Sequence, residues 1–170
     1  TFFRKLILLI SKKKIKRVLV QTQESKNRIL KKKIFNKNIL SMVRDPIIDY
    51  KKINLLKTEK IEKKFLKKKY FVSIGRLTNQ KNFLFLAECL RNIIKEVNKF
   101  NFLILGEGQD RKKIEGYIKR YNLTKYIILV GYKKNIFKYI NSSEGLICTS
   151  LWEEPGFIIQ EASSCKKIIL

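Results

Sequence analysis

A chain of 170 residues that is 45% hydrophobic carries enough apolar material for one complete domain and part of another, and excludes wholesale disorder. It contains no histidine, so it supplies no Ser-His-Asp or Cys-His couple, no imidazole base and no histidine metal ligand. The net charge is +25, from 39 Lys and Arg against 14 Asp and Glu. Such a balance raises nucleic acid or an anionic membrane surface as a partner. Against this, 31 of the cations are Lys and 8 are Arg, whereas phosphate and base recognition favours the forked guanidinium. Abundant Ile and Asn also mark a coding sequence biased toward A and T, so composition accounts for much of the charge. The three cysteines, Cys89, Cys148 and Cys165, fit neither a disulfide framework nor a CxxC metal site and read as buried reduced thiols. The apolar stretch Leu6 to Ile10 is too short to span a bilayer. The chain opens at Thr1 without an initiator Met and stops inside an apolar run, and so reads as a fragment of a longer protein.

In chain order, residues 1–14 read as the end of an amphipathic helix, 15–22 as a strand, 24–34 as a polar helix and 39–43 as a second strand. The turn Asp45-Pro46-Ile47-Ile48-Asp49 then leads into a lysine-rich stretch without a strong period, expected to be a linker over 50–68 or an exposed helix. From Tyr70 onward the pattern sharpens. Strands are predicted over 70–74, 102–105, 126–130, 145–148 and 167–170. Helices are predicted over 83–97, 110–121 (with Asp110 as N-cap), 136–140 and 157–164. Short apolar strands alternating with helices predict an α/β fold, a Rossmann-like open parallel sheet with helices on both faces. In such sheets a ligand lies beyond the carboxyl ends of the strands.

Four features fall at those ends. Gly75 is followed by two cations, Arg76 and Lys81, five residues apart, a spacing that suits a diphosphate; taken alone, the pair reads more readily as a carbonyl cap and a surface lysine. Gly106-Glu107-Gly108 resembles half a dinucleotide fingerprint without its third glycine, and equally describes a tight turn that lets the backbone approach a ligand. Gly156 precedes a helix, so the amides of Gly156, Phe157 and Ile158 would face an anion with the helix dipole behind them. Glu153 and Glu161 flank that helix start, able to serve two hydroxyl-bearing parts of one ligand or simply to be solvated acids. Tyr132 after Gly131 would contact a flat base or pack.

The order Gly75-Arg76, Lys81, Gly106-Glu107-Gly108, Gly131-Tyr132, Ser150 and Glu153-x7-Glu161-Ala162 resembles the donor-binding domain of glycosyltransferase family 4, retaining enzymes of the two-domain GT-B architecture. The resemblance implies that residues 1–49 end an acceptor-side domain and that 69–170 form a donor-binding domain. It implies that Arg76 and Lys81 hold the donor diphosphate, taking the place of a metal, while Gly156, Phe157 and Ile158 cradle it through their amides. Glu161 would bind the ribose hydroxyls, and Glu153, the expected catalytic residue, would lie against the transferred sugar. Two positions depart from the family pattern: Asp45-Pro46 stands where Asn-Pro is frequent, and Glu154-Pro155 follows the first glutamate where Gly is frequent. The implied partners are a nucleotide-sugar donor and a glycan or lipid-linked acceptor, with no metal and no other cofactor. An anionic membrane surface is retained as a further partner and nucleic acid is not, for a cytoplasmic protein peripheral to the inner face of a membrane. The fragment alone is expected to be inactive. The alternative from another class is a basic module that binds nucleic acid or anionic membrane without catalysis.

Overall fold

Short runs of β-branched, aromatic and leucine residues set the strands, and amphipathic segments between them set the helices. The structure, a computed structural model, describes residues 14–43, 48–153 and 156–170. The expected helix over 1–14 except its last residue, the residues Asp45-Pro46-Ile47, and Glu154-Pro155 lie outside these. The chain divides into two units, the second beginning at Ile48.

In the first unit, β1 (Val18–Val20) pairs in parallel with β2 (Leu40–Met42), joined by helix α1 (Gln23–Lys31). The Thr22 hydroxyl accepts from the Ser25 amide at 3.1 Å and caps α1. Val20, Phe35 and Leu40 form its small core. Each strand is shorter than the segment expected for it, 15–22 and 39–43, since only three residues of each enter the ladder.

The second unit holds α2 (Tyr50–Leu56), β3 (Tyr70–Ile74), α3 (Phe83–Ile93), β4 (Asn101–Leu105), α4 (Arg111–Arg120), β5 (Ile127–Gly131), α5 (Phe137–Ser142), β6 (Gly145–Leu146), α6 (Phe157–Ser164) and β7 (Ile168–Ile169). Its five strands are all parallel, in the order β5-β4-β3-β6-β7. The order reverses between β3 and β6, which makes the crevice over their carboxyl ends the expected ligand position. Alternate residues of β4 feed the two faces: Leu103 and Leu105 join the core with Tyr70, Val72 and Tyr139, whereas Phe102 and Ile104 join the core with Leu86, Leu90 and Ile114. The predicted α/β class is therefore the observed one.

The stretch 50–68 differs from a linker. It forms α2 and a short 3₁₀ turn, Lys63–Phe65, and it inserts Ile53, Ile61 and Phe65 into the core on one sheet face. Lysines outnumber these three anchors and mask them in the sequence. The Asn135 side chain locks this segment to α5, its Nδ2 donating to the Leu56 carbonyl at 2.9 Å while its Oδ1 accepts from the Phe137 amide at 3.0 Å. Asn135→Ala removes both bonds and is expected to cost about 1–2 kcal/mol. Urea unfolding should show a lower midpoint at unchanged slope; an unmoved midpoint would disprove the locking role.

Smaller differences concern ends and thiols. Helix α3 stops at Ile93 rather than residue 97, although Ile94 and Val97 still pack on the core. Asp110 occupies the N-cap position of α4 without a side-chain capping bond. All three cysteines are free; Cys165 is buried, but Cys89 and Cys148 are half-buried. No helix among the described residues is long and apolar enough to cross a membrane.

Candidate functional site

Loops leaving the carboxyl ends of β3, β4, β5 and β6 meet in one layer. Gly75 N donates to the Leu105 carbonyl at 3.0 Å, Leu77 N to the Glu107 carbonyl at 2.9 Å, and Gly106 N to the Gly131 carbonyl at 2.9 Å. Asp110 N returns a bond to the Leu77 carbonyl at 3.0 Å. The strand ladder thus continues into its own loops. Leu77, wholly buried in the core beneath α3 and α4, anchors the first loop and leaves the neighbouring Arg76 exposed. Gly106 is the tightest point: its φ is +140°, and a Cβ there would overlap the Gly75 carbonyl oxygen. The half fingerprint Gly106-Glu107-Gly108 is accordingly a loop-against-loop contact, with its close approach directed at Gly75 and Leu77.

The loop after β6 is joined to the loop after β3. Leu151 N donates to the Gln80 carbonyl at 2.9 Å, Gln80 Nε2 to the Trp152 carbonyl at 3.0 Å, and the Thr149 hydroxyl to the Lys81 carbonyl at 3.0 Å. These contacts place Lys81 Nζ 2.5 Å from Glu153 Oε1, with side chains only 16% and 18% exposed. Lys81 is therefore a half-buried, paired cation and not one more surface lysine. Its stem crosses Gly75, where a Cβ would come within 3.0 Å of Lys81 Cδ. Burial alone would raise the Glu153 pKa, but hydrogen bonds from Lys81 and Ser150, the Lys81 charge and a Cys148 thiol contact at 3.9 Å hold it below the usual carboxylate range. Gly156, the N-cap of α6, lies beside Glu153, with room for a Cβ only at 3.4 Å from Glu153 Cβ.

Glu161 stands apart from this pair. It lies in α6, half-buried, and its side chain has no ion pair or hydrogen bond among the described residues. Burial raises its pKa. An unpaired, half-buried carboxylate suits a ligand that brings hydroxyl donors. Phe157 and Ile158 occupy the first turn of α6, and Ile158 packs against the core.

A cleft of about 250 Å³ opens over the ends of β3, β4 and β5. Gly75, Arg76 and Tyr132 line it, three of the residues expected at a ligand site, and Tyr132 is 74% exposed. Arg76 forms no ion pair among the described residues. Sequence reasoning missed Lys133, which also lines the cleft and pairs with Glu62 at 2.8 Å. It sits among lysines that share its local pattern, and its partner lies 71 residues away in the stretch expected to be a linker. Glu107, named in the sequence only as part of the tight turn and given no role of its own, lines the cleft and pairs with Arg111 at 2.6 Å. Among the described residues no three His, Cys, Asp or Glu side chains converge on a metal position.

The cleft and the Lys81–Glu153 pair are joined through Gly75, which lines the one and lies against the Lys81 stem, so cations stand on both sides of that glycine. Comparison with known proteins places the chain in a family. The family model of glycosyl transferases group 1 matches residues 56–170. An uncharacterized glycosyltransferase of Methanocaldococcus jannaschii is 32% identical over 151 residues, which is 86% of this chain and 37% of that protein. The Escherichia coli UDP-Gal:alpha-D-GlcNAc-diphosphoundecaprenol alpha-1,3-galactosyltransferase is 33% identical over 97 residues, 55% of this chain and 25% of that protein. Among solved structures, a variant of Staphylococcus aureus TarM in complex with fondaparinux, alpha-GlcNAc-glycerol and UDP matches with a TM-score of 0.72 at 25% identity, covering 99% of this chain and 32% of that one. Anabaena HepE shares the fold, with a TM-score of 0.73 at 18% identity over 97% of this chain and 47% of that one.

Proposed function

The chain belongs to the glycosyl transferases group 1 family, and from that premise we propose that the protein transfers a sugar from a nucleoside-diphosphate donor to a glycan or lipid-linked acceptor, with retention and without a metal. The observation that carries this reading is the Lys81–Glu153 pair, held at 2.5 Å beside Gly75 by the loops after β3 and β6, where the strand order reverses. Arg76 and Lys81 hold the diphosphate and offset the charge that develops as it leaves. The amides at the start of α6 face the same phosphates, and Glu153 lies against the sugar. Glu161 accepts from the ribose hydroxyls. Residues 1–49 belong to the acceptor side of the protein. UDP is the first nucleotide to test, since the E. coli relative is named for a UDP sugar and the TarM complex contains UDP. Exposed lysines between residues 51 and 69 add weak attraction to an anionic membrane surface.

The test is calorimetric titration with UDP at moderate and high salt, using the protein and its Glu161→Gln variant. Loss of a charge-assisted hydrogen bond of about 1.5–3 kcal/mol should weaken binding tenfold or more. Burial raises the Glu161 pKa, and the ribose hydroxyls bind the ionised form. Affinity should therefore fall as the pH drops through that raised value, and Glu161→Gln should flatten this part of the profile. In the free protein the sign is opposite: the ionised carboxylate costs stability as pH rises above its unfolded value, so the amide should fold at least as well at neutral pH. Binding that vanishes at high salt and ignores Glu161 would instead mean that surface lysines alone hold phosphate.

A further inference from the structure

The cleft beside the phosphate-facing residues has a second chemical character. Its floor is apolar, built from Ile74, Leu105 and Ile136, with the glycines of the strand tips bringing backbone close beneath. Exposed Tyr132 and half-buried Lys133 also line the cleft. A flat ring bearing a few polar edge atoms fits such a slot; a second phosphate does not.

Lys133 is fixed from behind. Its Nζ lies 2.8 Å from Glu62 Oε1, and the Tyr139 hydroxyl donates to the same carboxylate, 2.8 Å from Oε1 and 2.7 Å from Oε2. Tyr139 is wholly buried, its ring centroid is 5.7 Å from the ammonium, and its own carbonyl accepts from the buried Tyr70 hydroxyl at 2.7 Å. This brace reaches into the core through two buried tyrosines, which is more than a surface lysine needs. Burial opposes ionisation of Glu62, yet Lys133 and Tyr139 bring its pKa down to about 2, so the carboxylate stays charged. Glu107, which lines the cleft, is engaged by Arg111.

Resting on the donor-site reading above, we propose that Lys133, positioned by Glu62 and Tyr139, selects the base of the donor nucleotide, favouring bases with a carbonyl edge over adenine. An ammonium offers three N–H donors and no acceptor. Glu62 and the Tyr139 hydroxyl engage part of that capacity, and Lys133 itself lines the cleft. Uracil and guanine present a carbonyl oxygen on the ring edge where adenine presents an amino group, itself a donor. A lysine at this position therefore gains a hydrogen bond with the first two and opposes a donor with the third. Tyr132 supplies the adjoining ring contact, indifferent to the base.

The experiment is calorimetric titration of the protein with UDP, GDP and ADP at high salt, repeated for Lys133→Met, Lys133→Arg, Glu62→Gln and Lys81→Met. The protein should bind UDP or GDP about tenfold more tightly than ADP. Lys133→Met should lose that preference while its ADP affinity changes little, Lys133→Arg should keep it, and Glu62→Gln should reduce it. A merely structural role would weaken all three nucleotides together and leave the ratio intact. A preference that survives in Lys133→Met, with binding still abolished in Lys81→Met, refutes base selection and leaves the donor site standing. No saturable binding of any nucleotide to the unaltered protein refutes both. Should Lys133→Met fail to fold, the ratios in Lys133→Arg and Glu62→Gln decide, equal affinities for the three nucleotides in the arginine variant counting against the proposal.

Discussion

Gly106→Ala is expected to disrupt the strand-tip layer and with it both stability and nucleotide binding. At φ +140° an alanine is strained, and its Cβ would meet the Gly75 carbonyl oxygen, a backbone atom bonded into the sheet layer that cannot swing aside. Strain and overpacking cost about 1–3 kcal/mol each, against a total stability of about 5–15 kcal/mol for an ordinary domain. Relief requires the loop after β3 to move, which shifts Arg76 and the Lys81 stem. The control is the same substitution at Gly116, an exposed position in α4 where a Cβ meets nothing within 4 Å. There alanine should stabilise by about 0.5–1 kcal/mol. Urea unfolding of both variants tests the pair, and a Gly106→Ala variant no less stable than Gly116→Ala would remove the close approach as an explanation for the glycine.

Lys81→Met should abolish UDP binding to within the reach of calorimetry, a loss of roughly a hundredfold or about 2.7 kcal/mol. Two effects add. The diphosphate loses a charge-assisted contact, and Glu153, now without its cation, presents an uncompensated negative charge to the ligand. Stability should drop by about 1–3 kcal/mol, because a half-buried carboxylate is left unpaired. Its pH dependence has a definite sign. Lys81 and its neighbours depress the Glu153 pKa, so the pair's contribution is complete above the unfolded carboxylate value and fades as pH falls through the depressed one. Lys81→Met should lack that acid-side decline. Adding Glu153→Gln to Lys81→Met should recover much of the stability without restoring binding, and a double-mutant cycle reads the coupling directly. If the double variant bound UDP as the unaltered protein does, neither residue would belong to the site.

From Tyr70 onward the fold was legible in the sequence because β3, β4 and β5 are largely apolar runs too short for a helix, each ending at or just before a glycine. The segment 50–68 was not, since Ile53, Ile61 and Phe65 are isolated anchors whose meaning depends on the cavity they fill. The site divides along the same line. Gly75, Lys81, Glu153 and Gly156 were recoverable as motif elements, and the structure brings them together. What the motif did not contain was the tether between Lys81 and Glu153, or the Glu62–Lys133 pair, because both join residues about seventy positions apart with nothing local to mark them. Gly106-Glu107-Gly108 was legible as a tight turn, but whether the close approach served a ligand or a neighbouring loop depended on strand order.

The strand order also bears on how the chain assembles. Strands β3, β4 and β5 are joined to their sheet neighbours by single helices and can pair early, at small loop-closure cost. The other half must wait, since Ser73 meets Ile147 across 74 residues and β6 pairs with β3 over only two positions. The cleft with Arg76 and Tyr132 therefore forms with the first half, whereas the Lys81–Glu153 pair closes only when β6 docks. A nascent or partly opened chain would possess the cleft before it possessed the Lys81–Glu153 pair, and under the proposed function nucleotide present during folding would favour closure of the second half on the first.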